Sequence, residues 1–493
     1  MARHRQLGAA VLVVAALVAG ACGGSDDGAD DGDRDGAASA TCPVDALDSA
    51  EGPVEITVWH SLTALPKRAL EGLAQEYNDS QSKVRVKVEN QGTTPTELHR
   101  KMDQAIPDRS LPAVVVPDDT KTRFAADSGL FVPASVCFAA DPEAASTLDD
   151  LLPIAKASYT IDGELWPASF STYTALVFYN RSQFAAAGLD PDRAPRTISE
   201  MIDFARAIKA AGVPDVQRPL VIKAQSFIFE WWLSGAKVPL VNEDNGRSGK
   251  LATESEFDNP TTRSILEELK AAKAEGLLDV VPGTEGQADH LLAMATRASS
   301  MVVESSAATS TVAGVIEGTV KAEDLKEEFG IDVPAGLQLD LDLGVGPYPG
   351  VEEAGRGQVG GMTWYMTNTV SDVEQSAAWD FMKFLNSKES QVRWGVEGAV
   401  SPVLKSAAED PAMQAAWTSS LAGRWGKIAF DVLAGIPTDF PGPVIGPYDE
   451  VRRAIERCLD RVLLNDEPVG PAVEEADATI TAALQAYKED VGS

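Results

Sequence analysis

Glu55-Ile56-Thr57-Val58-Trp59, Val84-Arg85-Val86-Lys87-Val88 and Ala113-Val114-Val115-Val116 together decide the fold. The first stretch is short and rich in β-branched residues, which pack well on a pleated surface. The second alternates apolar and charged positions, the period of a strand with one covered face. The third is apolar throughout, which suits a strand buried on both faces. After the turn His60-Ser61-Leu62-Thr63, a helix is expected from about Pro66, because Leu70, Leu73, Ala74 and Tyr77 recur at helical spacing. A second helix is expected over Thr96 to Ile106. Strand, helix, strand, helix, strand reads as an open α/β layer.

The alternation continues downstream. Ala175 to Asn180 reads as a strand. Thr197-Ile198-Ser199-Glu200 is a capping sequence that opens a helix with Met201, Phe204, Ala205 and Ile208 on its apolar face, and Gly212 ends it. Thr261 to Glu275 reads as helix, Ser300 to Ser305 and Gly360 to Met366 as strands. Ser371-Asp372-Val373-Glu374 is a further capping sequence, before Ala378, Phe381 and Leu385. From Gln391 to Tyr487 the pattern is mainly helical, with Gly and Pro breaks from Gly435 to Pro447. The 493 residues exceed what one core holds, since single cores stop growing near about 250–300 residues.

Upstream, Arg3 and Arg5 precede an apolar run from Leu7 to Ala21, too short to span a bilayer and suited to a secretory signal. The run ends Ala19-Gly20-Ala21-Cys22, which resembles a lipobox, with Cys22 as the acylated new N-terminus. An ordinary signal peptide cleaved nearby is the alternative. Residues 23–52, opening with Gly, Ser and Asp and no apolar period, read as a flexible tether. Two acyl chains on Cys22 would hold such a chain stably at a membrane. Of the other cysteines, Cys42 and Cys137 flank the first structured stretch and are expected to pair, fixing the arm to the body; free thiols are the alternative. Cys458 falls in an amphipathic helical stretch and reads as a buried thiol.

The formal net charge of −32 excludes a nucleic-acid partner, because phosphate contacts need clustered Lys and Arg. The four His, His4, His60, His99 and His290, include no pair at metal-ligand spacing, and there is no Cys-x-x-Cys. No metal or cofactor is expected. No nucleophile elbow occurs. Gly246-Arg247-Ser248-Gly249-Lys250 is a partial phosphate-loop text without a preceding strand, and reads as a surface turn. The chain is therefore expected not to be an enzyme, although abundant carboxylates leave a secreted glycan-acting hydrolase open.

Four motifs resemble family 1 extracellular solute-binding proteins of ABC importers, the group of glycerol-3-phosphate- and carbohydrate-binding lipoproteins. They are Trp59-His60-Ser61 followed by Leu73-Ala74-Gln75-Glu76-Tyr77-Asn78; Phe178-Tyr179-Asn180-Arg181-Ser182 followed by Ala187-Gly188-Leu189-Asp190-Pro191; Gly360-Gly361-Met362-Thr363-Trp364; and Phe384-Leu385-Asn386-Ser387-Lys388-Glu389 leading to Trp394-Gly395 and Ser401-Pro402-Val403. They occur in the family's order. The resemblance implies a two-lobed periplasmic-binding-protein fold of type II, an α/β fold with a hinge and a ligand cleft between lobes. The expected allotment is 53–170 plus 301–370 in one lobe and 171–300 plus 371–493 in the other.

Ligand sites in open α/β sheets lie beyond the carboxyl ends of strands. That places the candidates at His60 and Ser61, at Asp118 and Asp119, at Tyr173 and Thr174 of the first crossover, at Ser305 and Ser306 of the second, and at Gly360, Gly361 and Trp364. Trp231 and Trp232 are adjacent on a helix, so one at most faces a cleft. Each candidate also has a plain structural reading: His60 as a cap, Asp118 and Asp119 as a solvated turn, the tryptophans as core. Aromatic, hydroxyl and carboxylate groups together suit a sugar or polyol. The glycerol-3-phosphate-binding relatives carry a Tyr where this chain has Gly92-Thr93-Thr94-Pro95, and an Arg where it has Pro443-Val444-Ile445-Gly446-Pro447; a Tyr before Pro402 is also missing. An uncharged solute is thus expected first. The implied partners are that small molecule, the membrane permease subunits of an importer, and the membrane through the lipid anchor. The protein is expected to act as a monomer on the outer face of the cell membrane. A surface sensor without transport is the alternative.

Overall fold

The first strand, β1 (Val54–His60), buries Ile56, Val58 and His60 and runs parallel to β2 (Val84–Asn90) and β3 (Val114–Val116) on its two sides. This computed structural model describes residues 41–491 apart from 285–287, 322, 324 and 327–340. The remaining strands are β4 (Phe131–Val132), β5 (Thr160–Ile161), β6 (Glu164–Leu165), β7 (Ser169–Tyr173), β8 (Ala175–Asn180), β9 (Leu220–Ala224), β10 (Leu278–Pro282), β11 (Met301–Ser305), β12 (Leu343–Pro347) and β13 (Gly360–Thr367). One sheet has the order β2-β1-β3-β13-β4, with β7 also paired to β13. The other has the order β10-β9-β11-β8-β12. A hairpin of β5 and β6 stands apart.

Each sheet carries its own core. The helix Ala64–Ser80 lays Ala69, Leu70, Leu73, Ala74 and Tyr77 on the first sheet, the apolar stripe that helical spacing dictates. The helix Asp372–Leu385 adds Ala378, Trp379, Phe381 and Leu385, and its start is a full capping box between Ser371 and Glu374. In the second lobe Met201, Ile202, Ala205 and Ile208 of the helix Ile198–Ala211 meet Phe184, Leu220 and Met301. Thr197 caps that helix by accepting from the Glu200 amide, and Gly212 ends it in the left-handed conformation. Fully burying such a side chain is worth about 1.5–3 kcal/mol. Truncating Leu73 to Ala would cost about 2–5 kcal/mol, through lost transfer energy and the cavity left.

Two expectations about the lobes are corrected. Met301–Ser305 does not join the first sheet: it pairs antiparallel with β8 along its whole length, and β12 pairs with the other edge of β8. The segment 301–347 therefore belongs to the second lobe, and the chain returns to the first lobe only over 348–359. Conversely, the helices Asp372–Leu385 and Lys388–Gly398 pack against β1, β13 and the helix Ala64–Ser80. The helix Leu421–Ala434 touches both lobes, and Tyr448–Leu459 with Val469–Val491 cover the second. Strand pairing between distant segments decides this, and no local pattern carries it.

The expected tether also ends early. Cys42 is bonded to Cys137 with Cα atoms 5.0 Å apart. The turn Ala46–Ser49 docks on the helix Asp372–Leu385, with the Leu47 amide donating to Ser376 Oγ at 3.1 Å. The disulfide closes 95 residues, a loop length for which the chain-entropy account gives roughly 4–5 kcal/mol. Cys458 is a buried free thiol, its ionisation pushed up to about 12 by burial. Cys22 lies outside the described residues.

Candidate ligand cleft

Parallel strands put their carboxyl ends on one side of a sheet, and the loops leaving those ends form the natural crevice. Here the loops after β1 and β2 bring Ser61, Thr63, Thr93 and Thr94 to one wall. The ends of β9 and β11 bring Lys223, Gln225, Glu304 and Ser305 to the other, with His290 from the helix Asp289–Ala295 beside them. Tyr173 and Met362 line the back, next to the first crossing between lobes. The space enclosed is about 420 Å³, within the roughly 300–1,000 Å³ of small-molecule sites. The helices Ala64–Ser80 and Pro95–Ala105 begin at this wall, so their electropositive ends flank it.

The polar groups of the cleft are unequally satisfied. His290 Nε2 sits 2.5 Å from Glu304 Oε2, and the Ser305 amide donates to Glu304 Oε1 at 2.6 Å. Burial works against charge on Glu304, but the His290 contact, the Ser305 amide and the Lys223 charge hold its carboxyl below the usual range. His290 is 2% exposed and Ser61 5% exposed. His290 Nδ1 and Ser61 Oγ nevertheless have no hydrogen-bond partner among the described residues. A buried polar atom left so costs about 1–3 kcal/mol.

Ser61, Tyr173 and Ser305 are the sequence candidates that line this cleft. The others sit elsewhere. His60 is buried, its Nδ1 accepting from the Leu62 amide at 3.1 Å; burial, with the Lys67 charge, pulls its ionisation down to about 4, so it is a neutral turn-former. Thr174 and Ser306 hold the crossing: the Thr174 amide donates to Ser306 Oγ at 3.1 Å, and the Ser306 amide to the Thr174 carbonyl at 2.7 Å. Ser306 thus buttresses the first crossover, and the chain does not cross at 305–306.

The aromatic candidates are packing residues. Trp232 stacks on Tyr348 at 5.5 Å and donates to the Pro349 carbonyl at 2.8 Å. Trp231 meets Tyr348 edge-on and covers Gly360. Trp364 packs edge-on against Trp394 in the first core. Gly361, with φ of +152°, is needed because a Cβ there would collide with the Ser171 carbonyl oxygen of β7. The close approach is by a neighbouring strand, where the sequence suggested a ligand.

Asp118 and Asp119 belong to an ion network that joins the lobes. His99 Nε2 lies 3.2 Å from Asp118 Oδ1, off the hydrogen-bond line, and His99 Nδ1 lies 3.6 Å from Asp449. Lys121 pairs with Asp449 at 2.8 Å, and Arg452 approaches Asp118 at 3.6 Å and Glu230 at 3.1 Å. Tyr448 donates to Glu230 at 3.0 Å. Asp118, Asp119, His99 and Lys121 come from the first lobe; Glu230, Tyr448, Asp449 and Arg452 come from the second. Burial opposes charge on Asp118, yet His99 and Arg452 hold it low; burial, with Asp118 and Glu230 nearby, pushes Asp119 up. Burial opposes His99 charge too, but Asp118 and Asp449 raise it to about 9.

Arg247, from the partial phosphate-loop text, is a second strut. Its guanidinium donates to Ser158 O at 2.9 Å, Ala157 O at 3.2 Å and Gly442 O at 2.7 Å, meeting the unsatisfied carbonyls that end the helix Pro153–Tyr159. Sequence reasoning missed His290, Glu304 and Lys223. The available signal was a charge inside each of two apolar strands, Lys223 in β9 and Glu304 in β11.

Residues 72–420 match the family described as bacterial extracellular solute-binding protein. The sn-glycerol-3-phosphate-binding periplasmic protein of Brucella melitensis is 24% identical over 362 residues, 72% of this chain and 76% of that one. The protein of that name from Rhizobium meliloti is 29% identical over 167 residues, 33% of this chain and only 38% of its own length. Among solved structures, the cyclic alpha-maltosyl-1,6-maltose binding protein of Arthrobacter globiformis has a TM-score of 0.68 at 20% identity, covering 88% of this chain and 100% of its own. The glycerophosphocholine complex of UgpB from Mycobacterium tuberculosis has a TM-score of 0.66 at 18% identity, covering 89% and 100%. At these identities the likeness establishes the two-lobed fold.

Proposed function

Because the chain belongs to the bacterial extracellular solute-binding proteins, we propose that it captures a sugar, polyol or glycerol-phosphate-like solute between its lobes and delivers it to the permease of an ABC importer. The observation that carries this reading is the interlobe cleft of about 420 Å³, lined by Ser61, Thr63, Thr93 and Thr94 from one lobe and by Lys223, Gln225, His290 and Glu304 from the other. Each lobe contributes what the other lacks, so ligand and lobe closure stabilise one another. The relatives named for glycerol 3-phosphate and for maltose-type sugars support this solute class. The protein works outside the cytoplasm as a monomer, held by a lipid on Cys22, and the chain itself breaks no bond.

A hydrolase is the second reading, and one observation favours it: Ser61, His290 and Glu304 share one cleft. Thermal unfolding against sugars, polyols and glycerophosphodiesters separates the two. A ligand at 100 times its dissociation constant should add about 2.7 kcal/mol, with the compound recovered unchanged. Product formation would replace the binding reading with the hydrolase, and no shift with any compound would remove the proposed solute class.

A further inference from the structure

A polar residue at the N-cap of a helix typically turns its side chain back to accept from an amide two or three positions on. Thr94, Thr197, Asn259 and Ser371 all do so here. Thr63, before the helix Ala64–Ser80, and Gln225, before the helix Ser226–Gly235, do not. Both line the cleft, from opposite lobes, and both are partly exposed, unlike Ser61 and His290. Each is released by a local cause. The third residue after Thr63 is Pro66, which has no amide proton to give. At the other helix Glu456 takes the capping place: the Ser226 amide and hydroxyl both donate to its Oε1 at 3.4 Å. Neither the Thr63 hydroxyl nor the Gln225 side-chain amide has a hydrogen-bond partner among the described residues. Neighbours on the same two walls are engaged: Thr94 Oγ1 accepts from the Glu97 amide at 3.3 Å, and Ser305 Oγ from the Ala307 amide at 3.2 Å.

We propose that Thr63 and Gln225 form a clamp that reads hydroxyl groups of the solute, one jaw on each lobe; this rests on the solute-binding reading above. A hydroxyl and a carboxamide each donate and accept, so each meets a sugar or polyol hydroxyl in either sense. The planar carboxamide presents its donor and its acceptor side by side, which fits two neighbouring hydroxyls at once. Contacts made to one solute from opposite lobes form together as the lobes close on it. In the empty cleft partial exposure lets solvent serve both groups, so keeping them unpaired by protein does not burden the fold.

The full chain is compared with Thr63→Val, Thr63→Ser and Gln225→Leu, and with Thr197→Ala as a control away from the cleft. The probes are glucose, maltose and glycerol, titrated by calorimetry, with thermal unfolding of each unliganded protein alongside. The wild type is expected to bind at least one probe. Thr63→Val and Gln225→Leu should each weaken that probe about fivefold or more, and Thr63→Ser, which keeps the hydroxyl, should bind it as the wild type does. Thr63→Val and Gln225→Leu should melt no lower than the wild type. Thr197→Ala, which loses a working cap, should melt lower and keep its affinity. A loss under about fivefold in Thr63→Val or in Gln225→Leu overturns the clamp and leaves solute binding standing. So does a lowered melting midpoint in either, which would make that residue part of the scaffold. Binding of none of the probes by a folded wild type overturns the inference together with the solute class on which it rests.

Discussion

The two lobes meet over two polar surfaces that obey the same rule in opposite ways. Around Asp118 the chain supplies the partners itself: His99 and Lys121 from one lobe face Asp449 from the other, and Arg452 faces Asp118 and Glu230. Around Ser61 and His290, which line the cleft, two buried polar atoms have no hydrogen-bond partner among the described residues. Burying an unpaired polar group is unfavourable in either place. Where opposite charges from the two lobes meet, the surface is a brace; where Ser61 and His290 line the open space between the lobes, it is a cleft. Substitutions should therefore change stability with different signs on the two sides.

The largest effect is expected on the brace. Arg452→Ala would strand Glu230, whose side chain is fully buried, without its cation. Removing one partner of a buried pair costs about 3–5 kcal/mol. Urea unfolding should show that loss. A change under about 1 kcal/mol would mean that Tyr448 alone satisfies Glu230, and the brace would lose its claim to be one.

A smaller effect comes from pH. His99 is raised from 6.5 to about 9, so its contribution is whole below pH 6.5 and is lost as pH rises through about 9. Asp118 and Asp449 are depressed, so their contribution is whole above the ordinary Asp value and is lost as pH falls into the acid range. The His99, Asp118 and Asp449 contributions are all present between about pH 4 and 6.5, while Asp119, raised to about 7, costs stability as pH rises through that window. Unfolding at pH 6 and pH 9.5 should differ by on the order of 2–3 kcal/mol more in the wild type than in His99→Gln. An equal alkaline loss in both proteins would remove His99 from the account.

The same contrast explains what the sequence revealed. β1, β2 and β3 and the buried stripe of Leu70, Leu73, Ala74 and Tyr77 were legible, because period and β-branching are local properties. The lobe of Met301–Ser305 was not, because its partner β8 lies more than a hundred residues earlier. Ser61, Tyr173 and Ser305 could be placed by the rule that loops after strand ends form the crevice. Asp118 and Asp119 obey that rule equally, yet they are consumed by Arg452, His99 and the Gly361 amide, contacts that only the folded chain brings together. His290 and Glu304 carry no motif at all. Their relation is a side-chain contact across 14 positions, between a helix and the strand that follows it.

The smallest effect sits in the cleft and has the opposite sign. Ser61 Oγ is buried without a hydrogen-bond partner among the described residues, so Ser61→Ala removes a dehydrated hydroxyl and leaves no orphan behind. The unliganded protein should be unchanged or stabilised by up to about 1 kcal/mol, since losing an unsatisfied group relieves its desolvation cost. Binding should move the other way if lobe closure turns Ser61 Oγ onto a hydroxyl of the solute, weakening about five- to tenfold. Arg452→Ala, by contrast, lowers stability whether or not ligand is present. Thermal unfolding of Ser61→Ala with and without saturating sugar reads both quantities in one experiment. A destabilised apo protein would show that Ser61 is part of the scaffold, and the division of the interface into an ion-paired brace and an open cleft would then fail at the residue that defines it most simply.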